Sequence, residues 1–171
     1  MMSDRYENLI AERADIALRL GNQPDSSFVT RKLAETRRLF VASPTYLALH
    51  GTPEKLADID LHHVISSPGD DGEQNWTGRR KGVKEVQPVA PRVLTRSAMA
   101  AVTCARVGLG ITIASTWMCA DELASGTLAE VLADYQLEPM PAYAVFPAGR
   151  RPSQKARAFS DYLQQALMSD A

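Results

Sequence analysis

The adjacent histidines His62 and His63 are the residues of this chain that most readily suggest metal chemistry, because imidazole nitrogens commonly bind transition metals. The residues from 63 to 66 are predicted to form a strand, and neighbouring side chains on a strand point to opposite faces. No cysteine or carboxylate follows at a ligand spacing. We therefore expect no metal site and no resident cofactor.

Two charged stretches are candidates for ion or nucleic-acid binding. Asp70, Asp71 and Glu73 are interpreted as a solvated loop rather than a cation site. The basic run at 79–81 lies in the predicted hairpin turn GRRKG, where a solvated tip is favoured and a nucleic-acid contact stays open. The formal net charge is -1, so no overall basic field attracts the chain to nucleic acid.

The sequence carries no recognisable catalytic motif. It has no GxSxG elbow for a nucleophilic serine. The run Gly108-Leu109-Gly110 lacks the third glycine of a dinucleotide-binding fingerprint, and it follows a predicted helix where the fingerprint follows a strand. We interpret it as a helix stop with tight packing. No convergent set of titratable groups stands out, so we expect no catalytic residues and no enzymatic activity.

Cysteine usage and hydropathy indicate the compartment. Cys104 and Cys119 lie in helical stretches outside any CxxC pair, which predicts two small buried thiols and a reducing cytoplasm. The opening residues MMSDRYENL do not resemble a signal peptide. No apolar run approaches the ~20 residues of a membrane span, so we expect no membrane partner.

The elements that must position any site alternate between strands and helices. Helices are predicted at 6–13, 44–51, 53–57, 97–107, 116–124 and 153–168, and strands or extended chain at 15–20, 28–42, 63–66, 92–95, 111–114, 128–132 and 143–146, with a polar hairpin within 67–91. This order predicts an α/β fold with a mainly parallel sheet covered on both faces. The interrupting hairpin favours two lobes. The last helix is predicted to present one apolar stripe, formed by Ala156, Phe159, Tyr162, Leu163, Ala166 and Leu167.

Several phrases, in this order and at this spacing, resemble the small-molecule-sensing domain of LysR-type transcriptional regulators. They are ERADIALRLG with DSSFVTRKL, then RRLFVASPTYLALHGTPEKLADIDLHHVIS, then LTRSAMAAVTCARVGLGITIASTWMCADELASGTLAEVL, then AYAVFPAGRRPSQKARAFSDYLQQAL. The likeness covers residues 6–167. It implies two α/β lobes resembling a type 2 periplasmic binding protein, with 1–38 and 141–171 in the first lobe and 39–140 in the second. The family's winged helix-turn-helix, its linker helix and the opening strand-helix-strand of the first lobe have no counterpart here, so we expect an incomplete first lobe.

The resemblance also implies an effector site. The family binds a small effector, often an anionic metabolite, in the cleft between its lobes. The matching positions are Leu20, Gly21 and Asn22 in the first lobe and Thr95, Arg96 and Ser97 in the second. A helix N-terminus offers unpaired N–H groups to an anion, and Arg96 offers a bidentate fork for a carboxylate. The alternative, that Ser97 only caps the helix and Arg96 only points to solvent, stays open.

The resemblance predicts an effector-sensing regulatory domain. Its effector would modulate DNA binding by a helix-turn-helix domain that is not in this chain. We expect self-association as a homodimer or a larger oligomer. The alternative is a fragment of a periplasmic-type solute-binding protein, which should carry a signal peptide and a complete first lobe. A small α/β enzyme is the third class considered, and it lacks the titratable set that it would need.

Overall fold

A computed structural model describes residues 14–21, 28–66, 75–146 and 152–169. The elements are β1 (Ala17–Leu20), β2 (Val29–Thr36), β3 (Arg38–Ala42), α1 (Pro44–His50), a 3-10 helix (Leu56–Leu61), β4 (Val64–Ser66), β5 (Asn75–Arg80), β6 (Val83–Pro88), β7 (Pro91–Leu94), α2 (Ala98–Arg106), β8 (Thr112–Ser115), α3 (Thr116–Ser125), β9 (Ala129–Val131), β10 (Met140–Phe146) and α4 (Gln154–Ser169). The chain divides into two compact units: a first unit, Met1–Thr36 with Pro139–Ala171, and a second unit, Arg37–Glu138.

The first unit contains an antiparallel sheet in the order β1-β10-β2, with α4 packed against it. Leu33, Ala144, Phe146 and Ala156 form its buried core. Arg31 on β2 ties the sheet to the helix, because its guanidinium donates to Asp161 and to Gln164 at 2.5 Å each.

The buried face of α4 differs from the predicted stripe. Ala156 and Ser160 are buried and Leu163 packs against the same core, whereas Phe159 is 49% exposed and Tyr162 is 65% exposed. The buried positions follow the spacing of one helical face, and Phe159 and Tyr162 lie off that face. Ser160 occupies a central position because its Oγ accepts a hydrogen bond of 3.3 Å from the guanidinium on β2. Phe159 and Tyr162 belong to the predicted apolar stripe but lie outside the packed core.

The second unit contains the sheets β8-β3-β9 and β4-β7. Ile111, just before β8, links them: its N–H donates to His63 O at 2.8 Å, and its carbonyl oxygen accepts from the N–H of Ile65 on β4 at 2.9 Å. Side chains of β3 alternate between two cores. Leu39 and Val41 pack with α2 and α3, and Phe40 and Ala42 pack with the aromatic side chains of the other face. This sheet is covered on both faces, as predicted.

The prediction of a mainly parallel sheet was only partly right. β4 and β7 pair in parallel, but β3 is antiparallel to both β8 and β9, and β10 is antiparallel to both β1 and β2. β8 and β9 run in the same direction and are joined through α3, the kind of crossover that parallel strands require. β3 lies between them and runs in the opposite direction, so neither has the other as its neighbour in the sheet. β10 separates β1 from β2 in the same way.

The predicted polar hairpin is confirmed as β5 and β6, closed by Lys81 and Gly82. Both turn residues have positive φ, at 50° and 81°, as a type I′ turn requires. The turn is shorter than the predicted GRRKG loop, because Arg79 and Arg80 remain in the strand. Trp76, only 1% exposed, anchors the hairpin in the core.

The helix predicted at 44–51 is confirmed as α1. Ser43 Oγ accepts a 3.2 Å hydrogen bond from the N–H of Tyr46, Pro44 begins the helix and Gly51 ends it. The short helix predicted at 53–57 is the 3-10 helix, shifted towards Leu61. The helix predicted at 6–13 lies outside the described residues. Among the helices that the structure describes, none is long and apolar enough to cross a membrane.

Candidate functional site

The segment between β7 and α2 holds three of the predicted site residues next to one another in the second unit. β7 pairs in parallel with β4, and the N–H of Thr95 extends this pairing with a 3.0 Å bond to Ser66 O. Thr95 Oγ1 donates to Ser97 O at 2.8 Å. These bonds fix the start of α2 at the carboxyl end of a parallel strand, where open α/β folds bind ligands.

Ser97 occupies the N-cap position of α2 in extended conformation, but its side chain makes no capping hydrogen bond. The alternative in which the Ser97 side chain caps the helix is therefore not what the hydrogen bonds of the described residues show. The first-turn N–H groups of a helix have no partner within the helix itself. Without a side-chain cap, those of α2 stay available to an anion, and the positive end of the helix dipole favours one.

Arg96 is exposed, and within the described residues its guanidinium makes no hydrogen bond or ion pair. A guanidinium offers five N–H donors in a fork that matches a carboxylate. An unpaired cation beside an uncapped helix start is the chemistry that an anionic ligand needs.

The predicted site residues of the first unit lie at the end of β1. Leu20 closes the strand and is 40% exposed. Gly21 has φ +87° and donates its N–H to Pro141 O at 2.8 Å, so the turn requires the conformational freedom of glycine. Asn22 lies outside the described residues.

A cavity of about 340 Å³ opens elsewhere in the second unit, and the sequence did not indicate it. Asp60, Asn75, Pro88, Val89 and Ala90 line it. Asp60 is its charged residue, and the carboxylate accepts a 2.7 Å hydrogen bond from Gln87. A negative lining opposes an anionic ligand, so this cavity fits the predicted effector class less well than the start of α2.

Sequence reasoning missed a cluster around the buried Tyr46. The ring of His50 stacks on the Tyr46 ring with centroids 4.3 Å apart, and the rings of His62 and His63 each lie 5.9 Å from it. The prediction that His62 and His63 diverge was wrong, because His62 ends the 3-10 helix and β4 begins only at Val64. The spacing of four between Tyr46 and His50, which places both on one helix face, was the available signal.

Hydrogen bonding determines the protonation of this cluster. Arg92 Nη1 lies 2.6 Å from His63 Nε2. Arginine can only donate, so this contact favours the neutral imidazole in which Nε2 accepts and carries no proton. Burial lowers the pKa of His62 and of His63, and the charge of Arg92 lowers the pKa of His63 further. Within the described part of the chain, no group of three or more His, Cys, Asp or Glu could hold a metal ion.

Comparison with known proteins reveals relatives among transcriptional regulators. An uncharacterized HTH-type transcriptional regulator of Haemophilus influenzae is 30% identical over 148 residues, covering 86% of this chain and 51% of that protein. The HTH-type transcriptional regulator DmlR of Escherichia coli is 30% identical over 166 residues, covering 96% and 53%. The chain spans about half the length of these relatives. They are regulators of a non-enzymatic family, which confirms the prediction that the chain is not an enzyme.

Solved structures confirm the two-lobed α/β fold. The regulatory domain of CrgA from Neisseria meningitidis, a LysR-type transcriptional regulator, matches with a TM-score of 0.83 and 28% identity, over 96% of this chain and 81% of that one. Full-length AphB from Vibrio cholerae matches with a TM-score of 0.78 and 26% identity, over 97% and 56%. The family model of the LysR substrate binding domain matches residues 1–168. The chain therefore belongs to the LysR substrate binding domain family.

Proposed function

We propose that this chain is the effector-sensing part of a LysR-type transcriptional regulator, and that it binds the anionic group of a small metabolite at the start of α2. The observation that carries the proposal is the guanidinium of Arg96, which has no hydrogen-bond or ion-pair partner among the described residues and lies beside a helix N-terminus without a side-chain cap. A carboxylate placed there receives a charge-assisted fork from Arg96 and N–H bonds from the first turn.

The remaining contacts are proposed from the matching positions. Thr95 and Ser97 flank the guanidinium, and Leu20, Gly21 and Asn22 are the proposed contacts of the first unit. The effector acts by binding one conformation of the regulator more tightly than another, which shifts the population towards that conformation. In this proposal a helix-turn-helix domain outside this chain makes the DNA contacts. The regulator works in the cytoplasm, and the chain self-associates as a homodimer or larger oligomer. The regulator names of the relatives favour this function over that of a solute-binding protein.

Ligand screening tests the proposal. We expect small mono- or dicarboxylates to raise the melting temperature of the chain, and their neutral amide counterparts to have no effect. Calorimetry of the best carboxylate should show weaker binding to Arg96→Ala by roughly 1.5–3 kcal/mol, the range for a lost charge-assisted hydrogen bond.

Arg106→Ala is the matched control. Arg106 lies at the other end of α2, is exposed and pairs with Glu122 at 3.4 Å. The Arg106→Ala variant should bind the carboxylate as the parent does. Equal affinity in the parent and in Arg96→Ala, or equal binding of carboxylate and amide, would refute the proposed site.

A further inference from the structure

Five side chains of the second unit form what we call the histidine cluster: Tyr46, His50, His62, His63 and Arg92. We propose that the histidine cluster is a proton-sensitive contact, which holds β7 and the start of α2 in place at neutral pH and loosens them as the pH falls below about 6.5. Its effect on effector binding rests on the function proposed above. The loosening itself does not, and it is tested without a ligand.

The cluster gathers every histidine of the chain at one place. His50 comes from the last turn of α1, and His62 and His63 come from the link between the 3-10 helix and β4. The rings of His50 and His63 meet edge to face, with centroids 5.0 Å apart. Imidazoles so close cannot all take up protons without mutual repulsion.

Tyr46 connects the ring system to the backbone. Its hydroxyl oxygen accepts a 2.8 Å hydrogen bond from the N–H of His63. The phenolic proton can donate to His62 Nδ1, which lies 3.3 Å away, while that nitrogen carries no proton. Tyr46 is only 1% exposed, so its polar contacts cannot be replaced by water without a penalty.

The contact between Arg92 and His63 is the part of the cluster that protonation destabilises most. Nε2 of His63 accepts from the guanidinium at 2.6 Å. Protonation of Nε2 would set two N–H donors against each other and would place a second positive charge beside the first. The contact can persist only while the imidazole is neutral.

The charged groups around the cluster do not offset this repulsion. α1 contributes His50, β7 contributes Arg92, and the 3-10 helix contributes Asp58, which favours the charged form of His62. The carboxylate of Asp58 is already engaged by the N–H groups of Glu54 at 3.0 Å and Lys55 at 3.1 Å. On the β8 side, the backbone of Gly110 lies against His63 and brings no charge.

The sign of the pH effect follows from this environment. Burial comes first among the causes that lower the pKa of His62 and His63 in the folded chain. The unfolded chain therefore binds these protons more readily than the folded one. The stabilisation is complete above about 6.5, the ordinary pKa of histidine, and is lost as the pH falls towards the lower folded values.

β7 carries the effect to the start of α2. Arg92 lies within this four-residue strand. The described neighbour of β7 in the sheet is β4, which begins directly after His63. Thr95 continues the same ladder through its bond to Ser66 O, and Arg96 and Ser97 follow. Separation of Arg92 from His63 therefore weakens the attachment of the strand that leads into the proposed effector site.

Two measurements on the intact chain, free of ligand, test the proposal. NMR titration of the histidine ring protons should place His63 below 6.5, and Arg92→Gln should raise its pKa. Amide exchange of β7 and Thr95, corrected for intrinsic rates, should be faster at pH 5.5 than at pH 7.5, by at most about tenfold for each histidine that takes up a proton.

Variants identify the cause. His63→Gln retains an acceptor near Nε2, and His62→Asn retains one near Nδ1, so the double variant should lose most of the excess exchange at pH 5.5. Arg106→Gln, on the far end of α2, should behave as the parent. Unchanged exchange of β7 between the two pH values, or an equal acceleration in the double variant, would overturn the proposal. Neither result depends on whether carboxylates bind.

Discussion

Among substitutions of the described glycines by alanine, Gly110→Ala is expected to destabilise the second unit most. A Cβ at Gly110 would lie 2.1 Å from the carbonyl oxygen of His63 and 2.9 Å from its carbonyl carbon, at φ +156°. Comfortable carbon contacts are about 3.5 Å. The backbones of β4 and the start of β8 must therefore move apart by roughly 1 Å, since neither obstructing atom belongs to a flexible side chain.

The loss in the free energy of unfolding follows from the hydrogen bonds next to Gly110. Ile111 donates to His63 O at 2.8 Å, and Ile65 donates to Ile111 O at 2.9 Å. Both isoleucines are 0% exposed, so broken partners would stay buried. Each such loss costs about 1–3 kcal/mol, and the unfavourable φ adds about 1–2 kcal/mol. We expect a loss of roughly 3–8 kcal/mol, a large part of the ~5–15 kcal/mol by which domains are stable.

Urea unfolding followed by circular dichroism measures this loss, with Gly126→Ala as the matched control. Gly126 ends α3 at φ +72°, and a Cβ there meets nothing within 4 Å. Its substitution should cost only the left-handed conformation, about 1–2 kcal/mol. If Gly110→Ala costs no more than Gly126→Ala, the close approach of the two backbones is not as described.

Two further predictions concern buried groups of the same unit. Tyr135→Phe removes a hydroxyl that accepts from the N–H of Leu56 at 3.1 Å and donates to Glu85 at 2.8 Å, so urea unfolding should show a loss of about 1–3 kcal/mol; an unchanged midpoint would contradict these bonds. Burial raises the pKa of the Cys119 thiol to about 11, so little of the reactive thiolate is present at pH 8. Iodoacetamide at pH 8 should therefore modify the half-buried Cys104 first and Cys119 only after unfolding, as mass spectrometry would show; equal rates would contradict this order.

Local chemistry was readable from the sequence. Ser43, Pro44 and Gly51 mark the ends of α1 because caps act within a few residues of one another. Gly126 ends α3 and Gly21 forms the turn after β1 for the same reason. The element types and their order followed from such signals and from the spacing of apolar residues.

Long-range pairing was not readable. The direction of β3 depends on β8 and β9, which follow it by some seventy residues or more. Ser160 displaces Phe159 from the buried face of α4 because Arg31 reaches it from β2, 129 residues earlier. Periodicity within one helix contains no information about such a partner.

The same distinction between local signals and long-range contacts holds for the candidate site. The position of Thr95, Arg96 and Ser97 before α2 was predicted through the family resemblance, but the absence of a side-chain cap depends on bonds that only the fold shows. The histidine cluster needed α1, the 3-10 helix and β7 to meet, so His62 and His63 alone gave no indication of Arg92.

NMR mapping of a bound carboxylate tests the central claim most directly. The probe is the carboxylate that raises the melting temperature most in the proposed panel, titrated into the isotope-labelled chain. We predict that the largest saturable amide shifts fall at Thr95, Arg96, Ser97 and the first turn of α2, and that Arg96→Ala removes them while Arg106→Ala does not. Largest shifts around Asp60 and Asn75, in the cavity away from the start of α2, would contradict the account.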